Sequence, residues 1–214
     1  MQDIKQLLIN KEIPYQYPEI ISRIKTKASD KYYIDKFDFI NLSSFVLAAK
    51  RWVKPLSDFI GNKKCLEIMA GKGVLSKCLS DFGTDIIATD DYSWKWHRNQ
   101  QQRSGQVLKQ DELWYDVENL DCLKSIEKYG SDAGFIICCH PPFGDESLYK
   151  SLIKMREINI QCRLIYVGEG RGGCHAEDKF FNEAVYIKDD IIFNYAANLY
   201  QSWSSLNDNV NLIK

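Results

Sequence analysis

The chain is short of several features at once. No stretch approaches the roughly 18 consecutive apolar residues that a membrane-spanning helix needs. The first twenty residues, MQDIKQLLINKEIPYQYPEI, carry Asp3, Lys5, Lys11 and Glu12 where a secretory leader would be apolar. Charge of one sign is not in excess either. The 28 basic and 29 acidic residues leave a net charge of −1. That excludes a global electrostatic pull toward nucleic acid or an anionic membrane and leaves room only for a local basic patch. There is no internal repeat, no low-complexity tract and no Cys-x-x-Cys spacing. The seven cysteines are an odd number. Cys65, Cys138, Cys139 and Cys162 lie in apolar runs that read as buried strands, where free thiols behave as small hydrophobes. Together these absences point to a reduced, cytoplasmic protein with neither a membrane anchor nor a disulfide framework.

What is present is an ordinary globular composition. The chain has 214 residues, 45% hydrophobic and 27% charged, enough for one domain with a small extension. Residues 1–40 read as that N-terminal helical extension. Ile4, Leu7, Leu8 and Ile9 predict a short helix, and Pro14 and Pro18 then break the chain. Residues 41–214 read as the main domain. NLSSFVLAAKRWVKPLSDFIG predicts a helix capped by Ser43 or Ser44, with Pro55 as a kink and Gly61 as its close. After it, strands and helices alternate. KKCLEIMA, TDIIATD, LWYDVEN, AGFIICCHPPFG and CRLIYVGEG read as strands. GVLSKCLSDFG, LDCLKSIEKYG, ESLYKSLIKMREIN and AEDKFFNEA read as helices. Residues 92–110 read as part helix and part loop, and the stretch from Val185 onward as further strand. This alternation predicts an α/β fold with a mainly parallel sheet and helices on both faces.

In such a sheet, ligands bind beyond the carboxyl ends of the strands. The predicted strand ends gather Ala70-Gly71-Lys72-Gly73, Asp90-Asp91, Glu118 to Asp121, His140-Pro141-Pro142-Phe143 and Gly168-Glu169-Gly170. The first turn is glycine-rich, as phosphate-binding turns are, but Gly-x-Gly is followed by Val74, Leu75 and Ser76 and never reaches a third glycine. That weakens a dinucleotide reading. A tight turn with no ligand is the plainer alternative. Lys72 is expected to face solvent.

Glu67-x-x-Ala70-Gly71-x-Gly73, followed by Asp90 at the end of the second strand, resembles the S-adenosylmethionine site of class I methyltransferases. The resemblance implies a Rossmann-like methyltransferase fold. In it, Ala70, Gly71 and Gly73 pack on the methionine part of the cofactor, and Asp90 accepts hydrogen bonds from the ribose hydroxyls. Glu67 would help organise the turn near the cofactor's ammonium group. A carboxylate offers paired acceptors to a diol, and glycine allows contact without a Cβ. By the same resemblance Asp121 touches the adenine amino group; as a residue just ahead of an apolar helix it reads equally as an N-cap.

IICCHPPFG resembles the fourth-strand Pro-Pro-aromatic motif of amino methyltransferases, with His140 where the family carries Asn, Asp or Ser. The resemblance implies that Pro141 and Phe143 position the methyl acceptor, with Phe143 stacking on it. His140 would supply one acceptor nitrogen or act as a base. With LIYVGEGRGGCHAEDKFF, the segment is similar to a group of poorly characterised methyltransferase-like proteins. The similarity runs from about Cys65 to Phe181, more faintly from Trp203 to Lys214. Glu169 is expected beside His140 if the fourth and fifth strands are neighbours. Cys138-Cys139-His140 and Cys174-His175 are not read as a metal site, because adjacent strand residues point to opposite faces.

The expectation is a methyltransferase that uses S-adenosylmethionine. Its acceptor is left open between a nitrogen of a nucleic-acid base, a protein or a small molecule. YSWKWHRNQQQR interleaves aromatic and basic residues as nucleic-acid surfaces do, although net charge does not favour such a partner. The alternatives are a catalytically inactive binding protein on the same scaffold, acting through a partner, and a nicotinamide-dependent oxidoreductase. The sequence assigns no oligomeric state.

Overall fold

The computed structural model describes residues 3–18, 36–93, 96–98, 101–103, 111–203 and 206–214, the two three-residue pieces by their backbone. Helix α1 (Ile4–Ile9) begins at Asp3, whose side chain accepts the Gln6 amide, and buries Ile4 and Leu8. Helices α2 (Lys36–Leu42) and α3 (Lys50–Ile60) follow. The helix expected from Ser43 or Ser44 starts instead at Lys50. Residues 45–49 run non-helically and bury Val46, Leu47, Ala48 and Ala49. Ala49 cannot cap with its side chain. The amides of Lys50 and Arg51 instead donate to the carbonyls of Pro14 and Tyr15 at 3.0 and 2.8 Å, so N-terminal backbone serves orphan donors of the first turn. Pro55 lies inside α3 without ending it, and Gly61 closes the helix.

Next come β1 (Cys65–Ile68), α4 (Val74–Asp81) and β2 (Ile86–Asp90). The stretch expected as helix and loop contains a small antiparallel pair, β3 (Trp96–Arg98) and β4 (Gln101–Arg103). Trp94 and Lys95 of the aromatic and basic stretch lie outside the described residues. Then β5 (Val117–Asn119), α5 (Cys122–Tyr129), β6 (Phe135–Cys139), α6 (Ser147–Ile158), β7 (Arg163–Gly168) and α7 (Asp178–Glu183) follow the expected alternation. The C-terminal part departs from it. Asp190 caps a helix, α8 (Ile191–Asn198), by accepting the Phe193 amide at 3.0 Å, and among the described residues there the strand is β8 (Asn209–Ile213).

The main sheet has the order β5-β2-β1-β6-β7-β8. Its neighbouring strands are parallel except β8, which runs antiparallel to β7. Side chains alternate between two faces, as the strand period of two requires. Cys65, Phe135, Ile137, Ile165 and Val167 join the core formed with α3, α4 and α8. Leu66, Ile68, Ile136, Cys138, Leu164 and Tyr166 join the core under α5, α6 and α7. Both faces are covered, so the strands read as continuous apolar runs. This is the expected Rossmann-like, mainly parallel α/β architecture.

Described residues before position 41 pack into this body. Ile4, Leu8, Ile13, Tyr17 and Phe39 belong to the first core. The buried Tyr17 hydroxyl donates to the Ala48 carbonyl at 2.9 Å, and α2 runs through position 40. Strand order reverses between β1 and β6. The crevice outside their carboxyl ends is where an open sheet of this kind can hold a ligand.

Candidate functional site

A cavity of about 740 Å³ opens at that crevice. Its walls take residues from the turn after β1, the ends of β2 and β6, and the segment running from α2 into α3. Three non-glycine residues just past strand ends, Met69, Tyr92 and His140, have φ of 54°, 55° and 50°. Backbone strain of this sort costs about 1–3 kcal/mol per residue and tends to gather at functional sites.

The first turn explains the acid inside β1. Glu67 is buried, and one of its oxygens accepts both the Ser76 amide, at 3.0 Å, and the Ser76 hydroxyl. It therefore ties β1 to the first turns of α4 while lining the cavity. Burial pushes its carboxyl up to about 7 against the pull of the Ser76 bonds, and Asp90 adds to the rise. Gly71 has φ of 56° and open space where a Cβ would be, on the cavity wall. Gly73 has a different task. A Cβ there would come within 2.8 Å of Tyr115 and Val117, so its smallness lets α4 approach β5; it is not part of the cavity wall. Ala70 lines the wall beside Gly71. Lys72, expected in solvent, is half-buried and donates to the Asn41 carbonyl of α2.

Asp90 lines the cavity and is buried. Its two oxygens accept the Gly71 amide at 2.7 Å and the Tyr92 amide at 2.6 Å. The carboxylate thus fixes the turn after β1 against the end of β2, and each oxygen keeps a further lone pair. Burial pushes its carboxyl up to about 6, against the pull of those two amides. Asp91 is exposed and lines the same cavity. Asp121 does what its alternative reading predicted. Its Oδ1 accepts the amides of Leu123 and Lys124 at 3.1 and 3.0 Å, the N-cap of α5. Leu120 and Cys122, its neighbours, line the cavity in its place.

At the other end lie His140, Pro141 and Phe143, all on the wall. Phe143 is 70% exposed, a ring offered to the opening. The His140 side chain is only 4% exposed. β6 and β7 are neighbours, as anticipated, but the expected His140–Glu169 pair does not form. Glu169 turns away from the cavity to accept the amides of Cys174, at 2.8 Å, and Asn207, at 2.9 Å. Bonds from Cys174 and Asn207 hold its carboxyl down at about 2, so it is no proton acceptor near neutral pH. His140 faces Asp208 instead, with Nε2 3.1 Å from Oδ2 but not aligned as a hydrogen bond. His175 lies beside both, its ring 4.7 Å from that of His140 and its Nδ1 3.6 Å from Asp208 Oδ1. Burial, with help from the neighbouring His140, keeps His175 below the usual histidine range. Asp208 and His175 are the residues that sequence reasoning left out of the site. Their signal was faint: a histidine in the turn after the fifth parallel strand, and an acid just before the last apolar run.

No helix among the described residues is long and apolar enough to cross a membrane. No protein-family model matches the chain, and a search of curated proteins finds no match. Among solved structures, two likenesses span nearly the whole chain. One is to a point mutant of MtNAS, with 9% identity, 98% of this chain and 70% of that chain covered, and a TM-score of 0.43. The other is to a candidate RNA methyltransferase from Pyrococcus horikoshii, with 14% identity, 100% and 95% covered, and a TM-score of 0.40. At these values neither likeness carries weight for function. The fold rests on the strand order and directions given above.

Proposed function

We propose that the chain is a methyltransferase that takes its methyl group from S-adenosylmethionine. The observation that carries this reading is the composition of the switch-point cavity. It places Gly71, Glu67, Asp90 and Asp91 at one end and the His-Pro-Pro-Phe turn at the other. Acids around a glycine turn suit a ligand with an ammonium and a sulfonium, where a pyrophosphate would be repelled. In this reading Gly71 and Ala70 face the methionine part and Asp90, with Asp91 beside it, takes the ribose hydroxyls. The backbone of residues 120–122 borders the adenine, and Glu67 holds the turn. His140, Pro141 and Phe143 hold the acceptor in line with the methyl group. Methyl transfer is a direct displacement, so this positioning accounts for much of the rate. The S–CH₃ bond breaks as the bond to the acceptor forms, its electron pair stays on sulfur, and the acceptor's proton leaves to solvent or a base.

The test is thermal unfolding with S-adenosylhomocysteine or with NAD. A ligand held at about 100 times its Kd stabilises the fold by about 2.7 kcal/mol. S-adenosylhomocysteine should raise Tm by several degrees and NAD should not. The reverse result would return the oxidoreductase reading. A second reading, a binding protein on this scaffold, draws on the fact that both Asp90 oxygens already accept backbone amides. It predicts no shift with either ligand.

A further inference from the structure

The acceptor end of the cavity holds a group of donors that the methyl-transfer reading leaves unexplained. His140 comes from the end of β6, His175 from the turn after β7, and Asp208 from the residue before β8. One ligand atom from each lies within 4.8 Å of the others. His175 Nδ1 is 3.6 Å from Asp208 Oδ1, and the three side chains are 4%, 9% and 0% exposed. Despite this crowding, neither ring nitrogen of His140 makes a hydrogen bond among the described residues, and neither does Asp208 Oδ1. The 3.1 Å approach of His140 to Asp208 is close enough for a hydrogen bond but not aligned as one. A buried polar atom left without a partner costs about 1–3 kcal/mol. Three such atoms in one pocket, converging from separate segments of the chain, describe a site that lacks its central partner.

We propose that His140, His175 and Asp208 bind a divalent transition-metal ion of the zinc class. Two imidazole nitrogens and one carboxylate oxygen suit such an ion. Calcium and magnesium ask for sets of oxygen ligands. The supporting contacts are those that metal ligands usually have. The Ser202 hydroxyl accepts the Asp208 amide at 3.2 Å and lies 3.3 Å from Asp208 Oδ2, with the Leu206 carbonyl at 3.0 Å as the other acceptor for its single proton. Existing contacts of His175 are the 3.3 Å bond from the Glu169 amide to Nδ1 and the Cys174 thiol 3.9 Å from both ring nitrogens. Lys36 interacts electrostatically with Asp208 and Glu169, and its ammonium lies 5.1 Å over the Trp203 ring. His140 and His175 line the cavity, so a three-ligand site with an open position would be reached from the cavity. A further consequence rests on the methyl-transfer reading. An ion held there would act as a Lewis acid that eases loss of an acceptor hydroxyl or thiol proton to water, and the lone pair so freed would take the methyl group while the S–CH₃ electron pair stays on sulfur.

The test uses the full chain, freed of metal by a chelator and titrated with Zn²⁺ against a chromophoric competitor. One ion per chain is expected. His175→Ala and Asp208→Asn should each weaken binding by at least about a hundredfold. Cys174→Ser, which removes the exposed thiol 3.9 Å from the His175 ring, should weaken it by less than about tenfold. Co²⁺ bound to the wild-type chain should show the intense visible bands of a low-coordinate site, a readout that needs no variant to fold. Asp208→Asn, at a residue that is not on the cavity wall, should leave S-adenosylhomocysteine affinity unchanged, so failure of the metal site and failure of the cofactor reading are told apart. Zinc binding that survives His175→Ala, or that is lost only in Cys174→Ser, would overturn the proposal. So would less than about a tenth of an ion per chain.

Discussion

The Asp90 carboxyl accepts two backbone amides and is still held at about 6 by burial, while Glu67 is held at about 7. Both values are raised above those of an unfolded chain, so the sign follows directly. Their contribution to stability is present below about pH 4, where both states are protonated, and is lost as pH rises through their folded values. Hydroxyl donors from a ribose favour the charged form of Asp90. S-adenosylhomocysteine should therefore bind more tightly as pH rises from about 5 to 7, by up to about tenfold per pH unit below the folded pKa. Calorimetry in two buffers of different ionisation enthalpy should register proton release over that range. A pH-independent affinity would remove Asp90 from the ribose contact. Gly73 carries a second prediction at this scale. Gly73→Ala puts a Cβ 2.8 Å from Tyr115 and Val117 at a φ of 70°. It should cost about 2–4 kcal/mol in urea unfolding, as overpacking plus left-handed strain. Gly71→Ala, with open space at its Cβ, should cost about 1–2 kcal/mol from its backbone strain.

Among the elements, the cap of α5 separates two roles for one acid. Asp121→Ala removes the acceptor for Leu123 and Lys124. It should lower stability by about 1 kcal/mol while leaving S-adenosylhomocysteine affinity within about twofold. A tenfold loss of affinity would return Asp121 to the adenine. The parallel strands and their helices were legible in the sequence because each is an apolar run or an amphipathic turn bounded by glycine or an acid. The start of α3 was not. Residues 45–49 have helical spacing, but their backbone is drawn out, and the donors of Lys50 and Arg51 are met by Pro14 and Tyr15, a long-range contact that local patterning cannot show. α8 was missed for a related reason. Ile191, Ile192 and Tyr195 are exposed on it, so its apolar residues do not fall on one buried face and mimic a strand.

At the level of the whole molecule, half of the candidate site could be read directly and half could not. Gly71, Asp90 and the His-Pro-Pro-Phe turn each follow a recognisable strand, and the doubly wound sheet must bring such strand ends together. Asp208 reaches the site only because β8 turns back antiparallel to β7, pairing Asn209 with Gly168. Register across a non-local pair has no local signature. Glu169 was drawn toward His140 by the same neighbour argument, yet its carboxylate is spent on the amides of Cys174 and Asn207. The segment before residue 41 contributes buried side chains to the first core and, through Ile40, a piece of the cavity wall. The proposed cofactor site therefore draws on this segment as well, and the central claim is best tested on the whole chain. The measurement is calorimetric titration with S-adenosylhomocysteine, beside NAD and beside an Asp90→Ala variant. The account predicts one site of micromolar affinity for S-adenosylhomocysteine, lost in the variant, and no heat from NAD. No binding at about 1 mM, a ceiling of about −4 kcal/mol, would contradict it.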